Sequence, residues 1–196
     1  MSSVFVEITM SLDGFIAGPN DEIDPLHDWL YPTRGFRKRH GMDGGETTQD
    51  SDILEEAMAR AGALVVGRRM YDVAEGWDDN PPFHVPVFVL TRRPRELIAK
   101  EGGTTFTFVT DGITSALAQA REAAGEKDIS VAGGANVIQQ YLEAGLVDEM
   151  QVHIAPLLLG RGIRLFGDSN RAPRRLEIDR VIGSPAVAHL RFRIAR

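Results

Sequence analysis

The sequence predicts one α/β domain of about eight strands and four or five helices, parallel in its early part and antiparallel at its end. Three observations carry that prediction. Short β-type apolar runs alternate with stretches of helical period from Val4 to Leu142. Ala63-Leu64-Val65-Val66 is apolar without a break, which suits a strand covered on both faces. Near the C-terminus, Arg175–Val181 and Ala186–Ile194 form the two arms of a hairpin around Gly183-Ser184-Pro185, with Leu190, Phe192 and Ile194 alternating against basic residues.

Composition sets the outer limits. The 196 residues suit a single domain spanning 1–196, and 43% hydrophobic with 26% charged residues is ordinary for a globular chain. A net charge of −6 argues against a nucleic-acid partner. The chain has no cysteine, which excludes disulfides, thiol nucleophiles and cysteine-ligated zinc. His27, His40, His84, His153 and His189 show no metal-ligand spacing, so no metal site is expected. No basic segment leads into an apolar stretch at the N-terminus, and no run approaches the ~20 apolar residues of a membrane helix. A cytoplasmic protein is the expectation.

Val4–Met10 is the first strand, rich in β-branched and aromatic residues. Ser11-Leu12-Asp13-Gly14 signals a turn, and Phe15-Ile16-Ala17-Gly18-Pro19-Asn20 follows as an apolar loop. Connections normally lie in water, so this loop either covers a ligand or forms a turn whose Phe15 plugs the core. From Glu22 to Asp50 the pattern is poor. Pro25 with Leu26, Trp29 and Leu30 could open a short helix, and Thr33–Gln49 suits a long loop able to close over a site. A helix then begins with Asp50 or Ser51 as its cap, burying Ile53, Leu54, Ala57 and Met58.

Three strand-to-helix turns stand out. After Ala63–Val66, Gly67 breaks the strand and Arg68-Arg69 opens a helix. Two cations there oppose the helix dipole by a few tenths of a kcal/mol, a placement that makes sense beside an anion. After Pro86–Leu90 come Thr91, Arg92, Arg93 and Arg95, a basic spot in an acidic protein; arginine's planar fork matches phosphate. After Ile129–Ala132, Gly133-Gly134 leads into a helix carrying Val137, Ile138, Tyr141 and Leu142 at helical spacing, with Gly145 where it stops. Adjacent glycines let the backbone approach a ligand, and the helix start offers free N–H groups to a phosphate. The plainer alternatives are tight turns and solvated arginines. Ligands in open α/β sheets bind outside the carboxyl ends of strands, and all three turns sit there. Between and beyond them lie a strand at Thr105–Val109, a helix over Ile113–Ala124 capped by Thr110 or Asp111, a half-buried strand at Glu149–Pro156 and an apolar loop, Leu157–Gly162.

In this order the motifs resemble the dihydrofolate reductase fold, in the branch holding the reductase domain of bifunctional riboflavin-biosynthesis deaminase-reductases. The carriers are Met10–Ala17, Val65–Tyr71, Leu90-Thr91-Arg92, Ala132–Ile138 and Pro156–Gly162. The resemblance implies a three-layer α/β/α domain with a mixed, mostly parallel sheet, and NADPH as cofactor. It implies that Gly67, Arg68 and Arg69 face the cofactor's phosphates. Thr91 and Arg92, with Arg93 beside them, would hold the adenosine 2′-phosphate. Gly133, Gly134, Ala135, Asn136, Val137 and Ile138 would meet the pyrophosphate and nicotinamide side, and Ile16 and Ala17 the nicotinamide. Met10 and Ser11 would lie near the substrate with Asp13, the preferred proton donor; Asp24, Asp28, Glu46 and Asp50 are weaker candidates. No Gly-x-Gly-x-x-Gly follows the first strand, which speaks against a Rossmann dehydrogenase.

The expected activity is NADPH-dependent hydride transfer to a small heterocycle such as a pterin, pyrimidine or riboflavin precursor. The alternatives are a non-catalytic NADP(H)-binding or sensor protein on the same fold, and an oligomeric scaffold whose arginines only make ion pairs. The resemblance also implies a homodimer, for which the C-terminal hairpin is the expected interface because an open sheet edge needs cover.

Overall fold

The computed structural model describes residues 2–167 and 173–195. Its spine is β1 (Val4–Ser11), which hydrogen-bonds on both sides to strands from the second half of the chain: β7 (Asp128–Gly133) and β8 (Glu149–Ala155), both parallel to it. β3 (Ala61–Gly67), β4 (Pro86–Leu90) and β6 (Thr105–Val109) extend the parallel array beyond β7. β5 (Ile98–Ala99) closes that edge antiparallel to β6. On the far side β11 (Ala188–Ile194) pairs antiparallel with β8, and β10 (Leu176–Gly183) with β11. The nine-stranded order is therefore β10-β11-β8-β1-β7-β3-β4-β6-β5.

Strand side chains alternate between two packed layers, as the period of two requires. Val4, Val6, Val65 and Val131 face α4 (Ile113–Ala124) and α5 (Ala135–Glu143), which contribute Leu117, Ala120, Ile138 and Tyr141. Phe5, Val66, Val87, Val89 and Phe106 face the opposite way, toward Ala57 of α2 (Gln49–Arg60) and Tyr71 of α3 (Arg68–Val73). Several of these valines are fully buried, each stabilising the fold by about 1.5–3 kcal/mol relative to exposure. The result is the three-layer arrangement with a mostly parallel sheet and an antiparallel end.

The structure corrects some local expectations. Phe15–Ala17 is a short strand, β2, paired antiparallel with β9 (Ile163–Arg164), so the apolar loop is half of a second, two-stranded sheet. With β5 these raise the strand number above the eight expected. Pro25–Leu30 forms hydrogen-bonded turns instead of a helix, although Leu26 and Trp29 are buried as an amphipathic reading requires. The adjoining stretch holds a helix the pattern did not show, α1 (Arg34–Arg39), whose cap Thr33 accepts from the Phe36 amide. Thr48 caps α2, accepting from Ser51 N, in place of Asp50 or Ser51. Asp50 is otherwise engaged, with His189. Gly112, at φ 88°, stands at the start of α4 where Thr110 or Asp111 was expected.

β8 differs from the one-sided strand that its alternation suggested. Flanked by β1 and β11, it buries Met150, Gln151, Val152 and His153 in succession, so its polar face is covered too.

Candidate functional site

All six parallel strands point the same way, and the segments leaving β3, β4, β6 and β7 open into one cavity of about 1360 Å³. Gly67, Arg92 and Gly133, the three predicted turns, share its wall. Local chemistry explains why glycine stands at two of them. Gly133 adopts φ 135°, a region side chains avoid, and a Cβ there would come 3.2 Å from Met70 Sδ. Gly67 lies so close to α5 that a Cβ would meet Val137 Cγ2 at 3.0 Å. Gly134 instead faces open space, so a side chain there would only fill the cavity.

The helices starting at this rim share a feature that periodicity did not show. α4 begins at Gly112 and α5 at Gly134, and neither has a side-chain hydrogen bond to its first turn. Gly112 and Ile113 at one start, and Gly134, Ala135 and Asn136 at the other, line the cavity. Two helix N-termini thus present amide donors and positive dipole ends to one volume.

The arginines divide into two kinds. Arg68, Arg69 and Arg92 all line the cavity. Arg68 Nε is 2.7 Å from Asp72 Oδ1, and Arg69 Nε is 2.9 Å from Asp21 Oδ1, so both already have carboxylate partners. Arg92 makes no ion pair among the described residues and stands beside Thr91. Arg93 is not part of the lining; its amide donates to Thr91 Oγ1 at 3.1 Å, which shapes the turn.

Ile16, Ala17 and Val137 line the cavity as expected, whereas Ile138 is fully buried beneath α5. Met10 and Ser11 are absent from the wall. Met10 packs against the core, and Ser11 is fully buried, its Oγ accepting from Phe15 N at 3.0 Å. Asp13 requires the clearest correction. Its carboxylate accepts from Ser11 Oγ (2.5 Å), Leu159 N (3.1 Å) and Gly160 N (2.7 Å), and it does not line the cavity. These bonds, the Ser11 hydroxyl foremost, hold its pKa below the usual carboxylate value. Asp13 clamps two loops together and keeps no proton to give. Of the weaker candidates, Asp24 accepts from Tyr31 Oη at 2.7 Å and Asp50 is buried against His189; neither lines the cavity.

Sequence reasoning missed the aromatic part of the wall. His27, Tyr31, Phe36 and His40 come from the poorly patterned 22–48 segment, and Trp77 and Phe83 from the loop after α3. Aromatic residues scattered without period were the only trace of them. Arg39 ties the two segments, donating to the carbonyls of Pro82 (3.0 Å) and Phe83 (3.3 Å).

Beneath the 22–48 segment lies a buried polar chain, also unforeseen. Glu7 Oε1 is 3.1 Å from His153 Nε2, His153 Nδ1 is 2.6 Å from His189 Nδ1, and His189 Nε2 is 2.9 Å from Asp50 Oδ1. Trp29 lies over both imidazoles, at 4.9 and 5.2 Å, and donates Nε1–H to Thr9 Oγ1. The pairing of β1, β8 and β11, with Thr9 opposite His153 and His153 opposite His189, makes the meeting inevitable. Burial, set against Asp50, pushes the His189 pKa down; burial also lowers that of His27, on the cavity wall.

An open, mostly parallel sheet with a glycine-lined cavity at its carboxyl rim defines an α/β domain of the class that takes ligands outside its strand ends. The chain belongs to the RibD C-terminal domain family, which it matches over residues 2–184. It is 26% identical to Bacillus subtilis YyaP over 174 residues, covering 84% of this chain and 80% of that protein. A putative riboflavin biosynthesis protein from Shewanella sp. PV-4 is similar in structure, with TM-score 0.74, 25% identity and 99% of both chains covered. The diaminohydroxyphosphoribosylaminopyrimidine deaminase/5-amino-6-(5-phosphoribosylamino)uracil reductase of Thermotoga maritima shares the fold at TM-score 0.65 and 14% identity, over 57% of its length. Among the described residues, no helix is long and apolar enough to cross a membrane.

Proposed function

We propose that this protein is an NADPH-dependent reductase that transfers a hydride to a small heterocyclic acceptor. One observation carries the reading: two uncapped helix N-termini and Arg92, which has no carboxylate partner among the described residues, converge on a single cavity. That set fits a ligand with several phosphates, one of them set apart from the rest, as in NADPH. The volume, about 1360 Å³, exceeds the ≈ 300–1,000 Å³ of common single-ligand pockets and leaves room for cofactor and acceptor together.

In this arrangement Arg92 and Thr91 hold the 2′-phosphate. The first-turn amides of α5, reached because Gly134 carries no side chain, meet the pyrophosphate. Ile16 and Ala17, fixed by the β2–β9 pairing, give the nicotinamide a flat apolar support and exclude water from it. The bound cofactor supplies the hydride. The acceptor's C=N or C=O takes it at carbon, and its nitrogen or oxygen takes a proton from solvent.

Calorimetric titration tests this. NADPH should bind more tightly than NADH, and Arg92→Ala should weaken NADPH by roughly 10- to 100-fold, the scale of one charge-assisted contact, while leaving NADH unchanged. Equal affinities for the two nucleotides, or an indifferent variant, would remove the basis of the proposal. The full engagement of Asp13 favours a second reading, a non-catalytic NADP(H)-binding or sensor protein. Such a protein would bind NADPH yet oxidise none of it with flavin, pterin or pyrimidine acceptors. A homodimer formed through the C-terminal hairpin belongs to the same proposal.

A further inference from the structure

The aromatic part of the cavity wall has its own chemistry. Five side chains define it: Leu30, Tyr31, Phe36, Trp77 and Phe83. The rings hold one another in fixed orientations. Tyr31 meets Phe36 edge-on at 5.3 Å, and Trp77 meets Phe83 edge-on at 4.8 Å. His40 stacks on Phe36 at 4.0 Å, which braces that ring from the side.

Charge is distributed as distinctively as shape. The formal charges that residues 21–42 and 70–83 bring to the lining are those of Asp21, Asp78 and Asp79; Asp21 is paired with Arg69 and Asp79 lies 3.6 Å from Lys100 Nζ, so the cations nearest them are already engaged. Arg39 could have supplied a cation, but its Nη1 is spent on the Pro82 and Phe83 carbonyls, and it does not line the cavity. His27 is held toward its neutral form by burial. A phosphate on this side would lose its water, find Arg69 already held by Asp21 and face the Asp78 carboxylate, whereas an uncharged ring would lose little.

We infer that the Leu30–Phe36 and Trp77–Phe83 wall binds an uncharged, planar aromatic or heteroaromatic acceptor and disfavours a phosphorylated one. The inference rests on the reading that the rim holds the cofactor's phosphates, because those donors are then taken. It separates this chain's acceptor from any sugar-phosphate conjugate of a similar ring.

Two flavin-type probes with related rings test it, lumichrome without charge and FMN with a phosphate. Each is titrated into the full chain without nucleotide, and tryptophan fluorescence is followed, since Trp77 lines the cavity. Lumichrome should quench saturably, with a dissociation constant at least ten-fold below that of FMN. Phe36→Ala should weaken lumichrome about ten-fold and leave NADPH affinity within two-fold. Trp77→Phe should remove most of the quench, providing a second readout if the first variant does not fold. FMN binding as tightly as lumichrome, or no lumichrome binding to the wild-type protein, would overturn the inference. A separate NADPH titration reports only on the rim: loss there with lumichrome retained refutes the cofactor reading and spares the wall.

Discussion

Glu7, His153, His189 and Asp50 form a chain of three hydrogen bonds that links β1, β8, β11 and α2. His189 is faced by Asp50 from α2, by His153 from β8 and, through His153, by Glu7 from β1. Burial outweighs these carboxylates and sets its folded pKa below the ordinary value near 6.5. The unfolded chain therefore binds the proton more readily. The stability involved is complete above about pH 6.5 and is lost as pH falls toward the folded pKa. His27, shifted the same way, adds to it. The urea midpoint should accordingly fall between pH 7.5 and 5.5, and the His189 imidazole should titrate below 6.5 by NMR; a midpoint above 6.5 would contradict the assignment. None of this was legible in the sequence. Histidines 36 positions apart meet only because β8 and β11 are in register.

At the scale of elements, what the sequence showed clearly were segments whose burial is one-sided or complete. β3, β4 and α5 carry unbroken or periodic apolar runs, and they lie close to where those runs predict. The rim turns were legible for the same reason, since glycine and arginine at a strand end conflict with local propensity. The 22–48 segment hid its role because its order comes from tertiary contacts: Trp29 over two imidazoles, and Arg39 on two carbonyls. β2 and β9 are equally opaque, being two or three residues long and defined only by each other. Gly162 shows how tight their contact is. Its φ is 148°, and a Cβ would fall 2.1 Å from the Ala17 carbonyl oxygen. Gly162→Ala should therefore cost roughly 1–3 kcal/mol in denaturant unfolding, as overpacking does, and should displace Ala17 from the cavity wall. A variant as stable as the parent would show that β2 and β9 are loosely held. Asp13, read from sequence as an acid, belongs to this scale as well. Asp13→Asn should accelerate hydrogen exchange at Leu159 and Gly160, whose amides it accepts, while NADPH affinity stays unchanged.

For the molecule as a whole, the open edge at β10 is the exposed boundary of the sheet. A bulge between Ile178 and Arg180 returns Val181 to the face already occupied by Leu176 and Ile178. Ile178 and Val181 are 70% and 61% exposed, so an apolar stripe runs on past Leu190, Phe192 and Ile194. The other face is polar, with Arg180 and Arg191 both 2.7 Å from Glu56 of α2. A second copy covering that stripe is the proposed dimer. Ile178→Lys should shift the sedimentation coefficient from dimer to monomer with the fold intact; a wild-type chain that sediments as a monomer would refute the dimer.

The placement of β1 has a consequence for how the protein is made. Of the six parallel strands β1 is made first, whereas its neighbours, β7 and β8, are made last. Val4–Ser11 must wait unpaired, with its valines and phenylalanine in water, until translation has passed Gly133, and its second edge stays open until Ala155. Nascent chains arrested before β7 should remain protease-sensitive and adhere to chaperones, and emergence of β8 should be followed by slow, concerted closure of the sheet.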